Sequence, residues 1–298
     1  MSDRKPFSQL PFLGELDVRH ARDELPTALG TLSFITPAHV RRASALVREG
    51  VTIPLNLPQD AFDPPLFDRA PVIHEVFQPN RNEAEDLLHQ FNPQSSSQLD
   101  GLGHVRAREF GFFDGSTDLE VARENIGIHH FAERGIAGRA VLLDMTVVEP
   151  DPFQPRSLTV DELREVAAQQ GVQLCEGDIL IVHTGWGEAY LERQDPALMA
   201  GWCGLEGSTT MAEFLWDTGI ALLGSDNPSI EPGPGDPKHG SLHRRSLPAL
   251  GLSFLELLDL RRLVAEARIR NRWEFFFVSV PLNLRGGVSS TANAMVVL

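Results

Sequence analysis

The sequence predicts one large α/β domain built on a mixed β-sheet. Three observations carry that expectation. Apolar runs of strand length alternate with amphipathic helical stretches, caps and turn residues mark the junctions, and no repeat or low-complexity tract offers a place to cut the chain. At 298 residues, with 42% hydrophobic and 22% charged side chains, the chain is long enough to bury a sizeable core. Residues 1–34 read as an irregular, proline-punctuated arm laid over the domain or over a partner subunit. Residues 35–298 read as the single domain.

Thr36-Pro37 opens the first helix with an N-cap and a proline in the first turn. Val40, Ala43 and Val47 lie on one face, and Gly50 is expected to close it. Val51 to Leu55 follows as a short strand. Ala140 to Met145 is an apolar run interrupted only by Asp144, as a buried strand requires. Thr159 and Glu162 form a capping box for a helix ending before Gly171. A tight Glu176-Gly177-Asp178 turn leads into the strand Ile179 to Thr184. The next helix carries Met211, Phe214 and Leu215 on one face and stops at Gly219, before the strand Ile220 to Gly224. Glu274 to Leu284 and Ala294 to Leu298 complete the strands.

Charge and cysteine content narrow the function. The formal net charge is −15, which disfavours nucleic acid and anionic membrane surfaces, where binding needs clustered cations. Cys175 and Cys203 are too few for a disulfide framework or a thiolate zinc site and read as reduced thiols, although one bridge between them is open. The N-terminal residues lack the apolar core of a signal peptide, and no run approaches the ~18 apolar residues of a membrane span. A cytoplasmic location is the expectation.

Histidine is the commonest metal ligand and proton carrier, so the ten histidines are informative. His20, His39 and His74 lie in polar surroundings, and His129-His130 reads as half-buried packing. His183 ends a buried strand, where it either lines a cleft or is a hydrogen-bonded core residue. Two segments stand apart. From Gln94 to His104, amides, hydroxyls, Asp100 and an imidazole crowd a glycine-bearing turn, either as a loop capping itself or as part of a site. In His239-Gly240-Ser241-Leu242-His243, Gly240 argues against a helical histidine pair, and Glu256 follows thirteen residues after His243. Taken together, Asp100, His243 and Glu256 offer one imidazole and two carboxylates, a set suited to Zn²⁺ or Mn²⁺. His104, four residues beyond Asp100 across a turn, is a candidate general acid or base.

These residues resemble the cyclase family, which includes bacterial kynurenine formamidases and isatin hydrolases. The family motif reads His-x-x-x-His-x-Asp-x-x-x-His, and Asp100 and His104 match its aspartate and last histidine. His243, Gly251, Glu256 and Asp259-Leu260 match its later His…Glu segment. Further matches include Thr36-Pro37, Gly135 to Arg139, Gly177-Asp178 with Thr184-Gly185-Trp186, and Gly224-Ser225-Asp226. Coverage runs from about residue 28 to the end. The chain departs from the motif at its two leading histidines, where Gln94 and Gln98 stand. The resemblance implies that those histidines and the aspartate hold a catalytic metal, with the Asp, later His and Glu forming a second position in two-metal members. An amide oxygen is a weaker ligand than imidazole for such ions.

The resemblance implies a swivelling β/β/α-like fold, assembly as a homodimer or homotetramer, and a small-molecule substrate. The expected reaction is hydrolysis of a small amide, an N-formyl arylamine or a cyclic amide or lactone. One divalent metal, Zn or Mn, would sit on Asp100, His243 and Glu256, with Gln98 as a further ligand. Metal-bound hydroxide would attack the carbonyl, with His104, Asp100 and Glu256 as the catalytic residues. Gln94, Ser97, Gln98, His183 and Asp226 are the substrate-binding candidates, Gln94 or Ser97 steadying the oxyanion. The alternative is a metal-free cyclase or lyase, or a polar-ligand-binding protein, using the same pocket.

Overall fold

Among the described residues, 4–235 and 240–298 of a computed structural model, nine strands form one mixed sheet. In chain order the strands are β1 (Thr52–Pro54), β2 (Ile73–Asn80), β3 (Glu83–Gln90), β4 (Gln98–Asp100), β5 (Ile136–Asp144), β6 (Ser157–Leu158) and β7 (Ile179–His183). There follow β8 (Gly204–Leu205), β9 (Leu222–Ser225), β10 (Phe254–Glu256), β11 (Glu274–Ser279), β12 (Ser289–Thr291) and β13 (Ala294–Val297). The large sheet runs β1-β13-β11-β5-β7-β9-β10-β4-β12, while β2–β3 and β6–β8 form separate pairs. Its centre, β5-β7-β9-β10, is parallel, and the flanking pairings are antiparallel. Parallel strands need both faces covered, which is why β5 and β7 read as near-continuous apolar runs rather than alternating ones.

Helices supply that cover. They are α1 (Pro37–Ser44), α2 (Leu119–Ile126), α3 (His129–Arg134), α4 (Val160–Gln169), α5 (Trp186–Arg193), α6 (Thr209–Thr218), α7 (Leu242–Arg245) and α8 (Arg261–Arg270). Leu163 and Val166 of α4 and Met211 and Leu215 of α6 share one core with Val141, Leu180 and Leu223. On the other face, Ile126, Phe131 and Leu263 meet Leu142, Ile181 and Phe275. The Thr159–Glu162 capping box forms as expected, and Gly219 ends α6 in the left-handed conformation.

The first helix is shorter than the sequence predicts. α1 stops at Ser44, six residues before Gly50, and Val47 is exposed. Beyond Ser44 only Leu46 is even half-buried, while Ala45, Val47, Arg48 and Glu49 face solvent, so helix propensity there has little packing to support it. The strand from Glu274 likewise ends at Ser279. The β2–β3 hairpin is a feature the sequence reading did not anticipate. Val76, Leu87 and Leu88 are exposed along it.

The arm lies on its own chain. Phe7, Leu10 and Ala21 pack against Ala212, Trp216 and Leu250, and the Trp216 indole N–H donates to the Lys5 carbonyl. Among the described residues no helix is long and apolar enough to cross a membrane, and both cysteines are free thiols.

The parallel centre decides where chemistry can gather. β5, β7, β9 and β10 end in Asp144, His183, Ser225 and Glu256, so their carboxyl ends present acids and an imidazole along one edge. Ligands in open α/β sheets bind at that edge.

Candidate metal centre

Strand register builds one side of the site. β4 and β10 pair antiparallel with Gln98 opposite Glu256 and Asp100 opposite Phe254. Side chains alternate across a strand, so Gln98 and Asp100 share a face while Leu99 turns into the apolar core. Directly paired residues touch, and Gln98 Nε2 accordingly donates to Glu256 Oε2 at 2.6 Å. Asp100 and Glu256 are 0% and 2% exposed.

His243 enters from α7. Ser241 caps that helix, and the Glu231 carboxylate sits at its start, accepting from the Ser241 hydroxyl at 3.0 Å and from the Leu242 backbone N–H. Glu231 Oε1 also lies 2.7 Å from His243 Nδ1, which holds the ring with Nε2 toward Glu256. Such a carboxylate behind a histidine fixes the tautomer and aims the other ring nitrogen.

The three groups converge. One ligand atom each from Asp100, His243 and Glu256 lies within 4.8 Å of the others. Asp100 Oδ2 and Glu256 Oε1 are buried without a hydrogen-bond partner. His243 Nε2 is 3.1 Å from Glu256 Oε1, but the two are not aligned as a hydrogen bond. Buried carboxylate oxygens left unpaired are costly, at about 1–3 kcal/mol or more each, and a divalent cation is the partner this donor set suits. The residues therefore fit a metal.

Charge reinforces that fit. Burial and the neighbouring Asp100 charge push the Glu256 carboxyl above its usual range, against the opposing pull of His243 and Arg69. Burial works to lower the His243 pKa, but the hydrogen bond to Glu231 and the Glu256 charge outweigh it and raise it to about 10. The excess negative charge of the buried carboxylates, which raises both groups, is what a cation would relieve.

His104 stands at the rim. A turn closed by the His104 N–H on the Gly101 carbonyl brings its Nε2 to 3.7 Å from Asp100 Oδ2. Its side chain is 27% exposed, so it faces both the acids and solvent. Gln94 Nε2 donates to Asp100 Oδ1 at 2.8 Å and lies 3.3 Å from His104 Nδ1.

Several of the sequence candidates are committed to partners within the fold. Gln98 cannot offer its carbonyl oxygen to a metal on these acids, because that oxygen accepts from Arg69 Nη1 at 2.8 Å while the amide N–H₂ faces the carboxylates. The orientation is dictated by its neighbours, since a guanidinium only donates and a carboxylate only accepts. Ser97 is spent on the backbone. Its hydroxyl donates to the Leu257 carbonyl and accepts from the Leu57 N–H, leaving no proton for an oxyanion.

His183 is the hydrogen-bonded core residue of its two readings, 1% exposed with Nδ1 2.9 Å from Asp144 Oδ1. Asp226 accepts from the Thr184 N–H and hydroxyl and from the Gly187 N–H, clasping the end of β7 to the start of α5. His183 and Asp226 line a void of about 10 Å³, room for one water and not a substrate. His239 lies outside the described residues. Glu231 and Arg69 belong to the site and escaped the sequence reading. Nothing local marks either one, because each reaches the cluster only through tertiary folding.

Comparison with known proteins agrees with this architecture. A family model described as a putative cyclase matches residues 51–232, more than half of the chain. Among solved structures, a novel cyclase superposes with a TM-score of 0.79 at 25% identity, covering 91% of this chain and 96% of its own. An isatin hydrolase bound to the product analogue thioisatinate gives 0.58 at 15% identity, covering 86% and 94%. A predicted metal-dependent hydrolase from Bacillus stearothermophilus gives 0.53 at 16%, covering 83% and 97%. No curated protein matches. The match over most of the sheet, together with a fold shared across nearly the whole length of these structures, places this chain in the cyclase family.

Proposed function

We propose that the chain is a metal-dependent hydrolase that opens a small amide, an N-formyl arylamine, or a cyclic amide or lactone. The observation that carries this reading is the pair of buried, unpartnered oxygens, Asp100 Oδ2 and Glu256 Oε1, grouped with an imidazole nitrogen within 4.8 Å. Asp100, His243 and Glu256 would hold a Zn²⁺ or Mn²⁺ ion. Such an ion supplies Lewis acidity, polarising a carbonyl and lowering the pKa of water toward neutrality.

The protein's own groups do the rest. Glu231 accepts from the Nδ1–H of His243, which leaves the Nε2 lone pair for the cation. Asp100 is held in place by the Gln94 amide, and Glu256 by the Gln98 amide, so neither carboxylate can swing out of the cluster. His104, at the rim, takes a proton from the attacking water and returns it to the leaving nitrogen or oxygen. The Gln94 amide lies between Asp100 and His104 and orients the imidazole for that transfer.

The test is metal content by elemental analysis of tag-free protein purified without chelators, beside His243→Ala. About one Zn or Mn per chain, absent from the variant, is the expected result. Absence of metal even after incubation with both ions would overturn the reading in favour of metal-free chemistry or ligand binding in the same pocket.

A further inference from the structure

Arg69 stands against the acid cluster, yet the proposed reaction leaves it without a task. Its Nη1 is tied down, donating to Gln98 Oε1 at 2.8 Å and to the Gln94 carbonyl. Its Nε and Nη2 have no hydrogen-bond partner among the described residues. The side chain is only partly exposed, and burial lowers its pKa against the raising charges of Asp100 and Glu256. A guanidinium withdrawn from water needs its donors met. The Nε–Nη2 side of Arg69 is left for an anion from outside the fold.

The geometry of those two donor groups indicates which anion. Nε–H and one Nη2–H point in parallel and form the fork that a carboxylate meets with both oxygens. Asp100, Glu231 and Glu256 crowd the same site, and Coulomb repulsion rises in proportion to the charge of the incoming group, so a monoanion is favoured over a phosphate dianion. Beside the fork lies an aromatic wall. The Arg69 guanidinium carbon is 5.2 Å from the centre of the Phe67 ring, which is 48% exposed and meets Trp202 edge-on at 6.2 Å.

The wall is tied to the acid cluster through its own hydrogen bonds. The Trp202 indole N–H donates to the carbonyl of Glu231, the residue whose carboxylate holds His243. Phe67 and Asp68 both adopt left-handed backbone, with φ of 59° and 54°, immediately before Arg69. Strained non-glycine residues of this kind cost about 1–3 kcal/mol each and persist only where their surroundings hold them. Here they set a ring and a guanidinium side by side.

We propose that Arg69 is a specificity residue that receives, through Nε and Nη2, the carboxylate of an aromatic substrate or product whose ring rests on Phe67. This narrows the proposed hydrolase to aryl carboxylates and rests on that reading only for the bond that is cleaved. The anion site stands on Arg69 and its neighbours.

Isothermal titration of the full chain with benzoate, acetate and inorganic phosphate tests it, with the metal content of each sample measured alongside. Benzoate should bind more tightly than acetate or phosphate. Arg69→Gln should weaken benzoate about 10- to 100-fold, the range of charge-assisted hydrogen bonds, with metal content and melting temperature unchanged. Arg69→Lys should fall between, keeping the charge without the fork, and Phe67→Leu should weaken benzoate but not acetate. Equal benzoate affinity in the wild type and either Arg69 variant would overturn the proposal, as would phosphate binding more tightly than benzoate. Protein that takes up neither Zn²⁺ nor Mn²⁺ on incubation yet binds benzoate through Arg69 would sink the hydrolase reading alone. Metal-loaded protein whose benzoate affinity ignores Arg69 would sink the anchor alone.

Discussion

Two clusters of buried histidine and carboxylate occupy the carboxyl edge of the same sheet, and they differ in whether their hydrogen bonds close. At the end of β5, Asp144 accepts from His183 and Thr146 through Oδ1 and from Arg268 Nε at 2.8 Å through Oδ2. Every acceptor is used. Burial would raise the Asp144 pKa, but these donors together hold its carboxyl far below the usual range. At the end of β10, Glu256 and Asp100 each keep one buried oxygen unpaired, and His243 points a ring nitrogen at the gap. Composition does not separate the two clusters, since both combine His with acids. Closure does. A completed network holds the fold together, whereas an incomplete one of the right donors is a place for something absent from the protein itself.

The largest expected effect breaks the open cluster. Asp100→Asn should strip the metal and take hydrolysis to background. It should leave the metal-free protein at least as heat-stable as the parent, because it removes repulsion with Glu256. A fall in stability of the metal-free variant would show that Asp100 is a fold residue after all. Next comes His104→Ala, expected to lower turnover ~10²–10⁴-fold while sparing metal content and folding. Unchanged turnover would remove His104 from the mechanism.

The closed cluster should respond in the opposite way. Asp144→Asn should cost about 2–3 kcal/mol of stability in urea titrations and leave the metal in place. Metal loss in this variant would erase the distinction between the clusters. The sign of its pH dependence follows from the depressed Asp144 carboxyl. That contribution is present above the unfolded carboxylate value of about 3.9 and is lost as pH falls toward the folded one. The gap between wild type and variant should therefore close on acidification below about pH 4. The smallest effect sharpens the comparison at its edge. Glu231→Gln keeps a hydrogen-bond acceptor behind His243 but removes the charge, and should weaken metal affinity about 10- to 100-fold by equilibrium competition with a chelator. No change would reduce Glu231 to a cap of α7.

Local chemistry was legible in the sequence wherever it acts over a few residues. The Thr159–Glu162 box, the Gly219 stop, the apolar strands β5 and β7, and the reach of His104 toward Asp100 across a turn all depend on neighbours close in the chain. The grouping of Asp100, His243 and Glu256 was available because an imidazole and two acids form a recognisable donor set, helped by the family resemblance. The hydrogen bonds of Gln98, Ser97, His183 and Asp226 were not legible there. Their residue types suit a site, but which hydrogen bonds they spend elsewhere is decided by partners up to 160 positions away.

The sequence by itself determined the class of fold and the kinds of ligand atom on offer, because periodicity, capping and donor chemistry are properties of short stretches. Only the tertiary structure decided which of those atoms remain unpaired. The β4–β10 register sets Gln98 against Glu256, the folded chain carries Glu231 behind His243, and the turn after Phe67 brings Arg69 to the acids. Hydrogen-bond closure is a property of the packed whole, because each donor can be assigned only when all its competitors are in place.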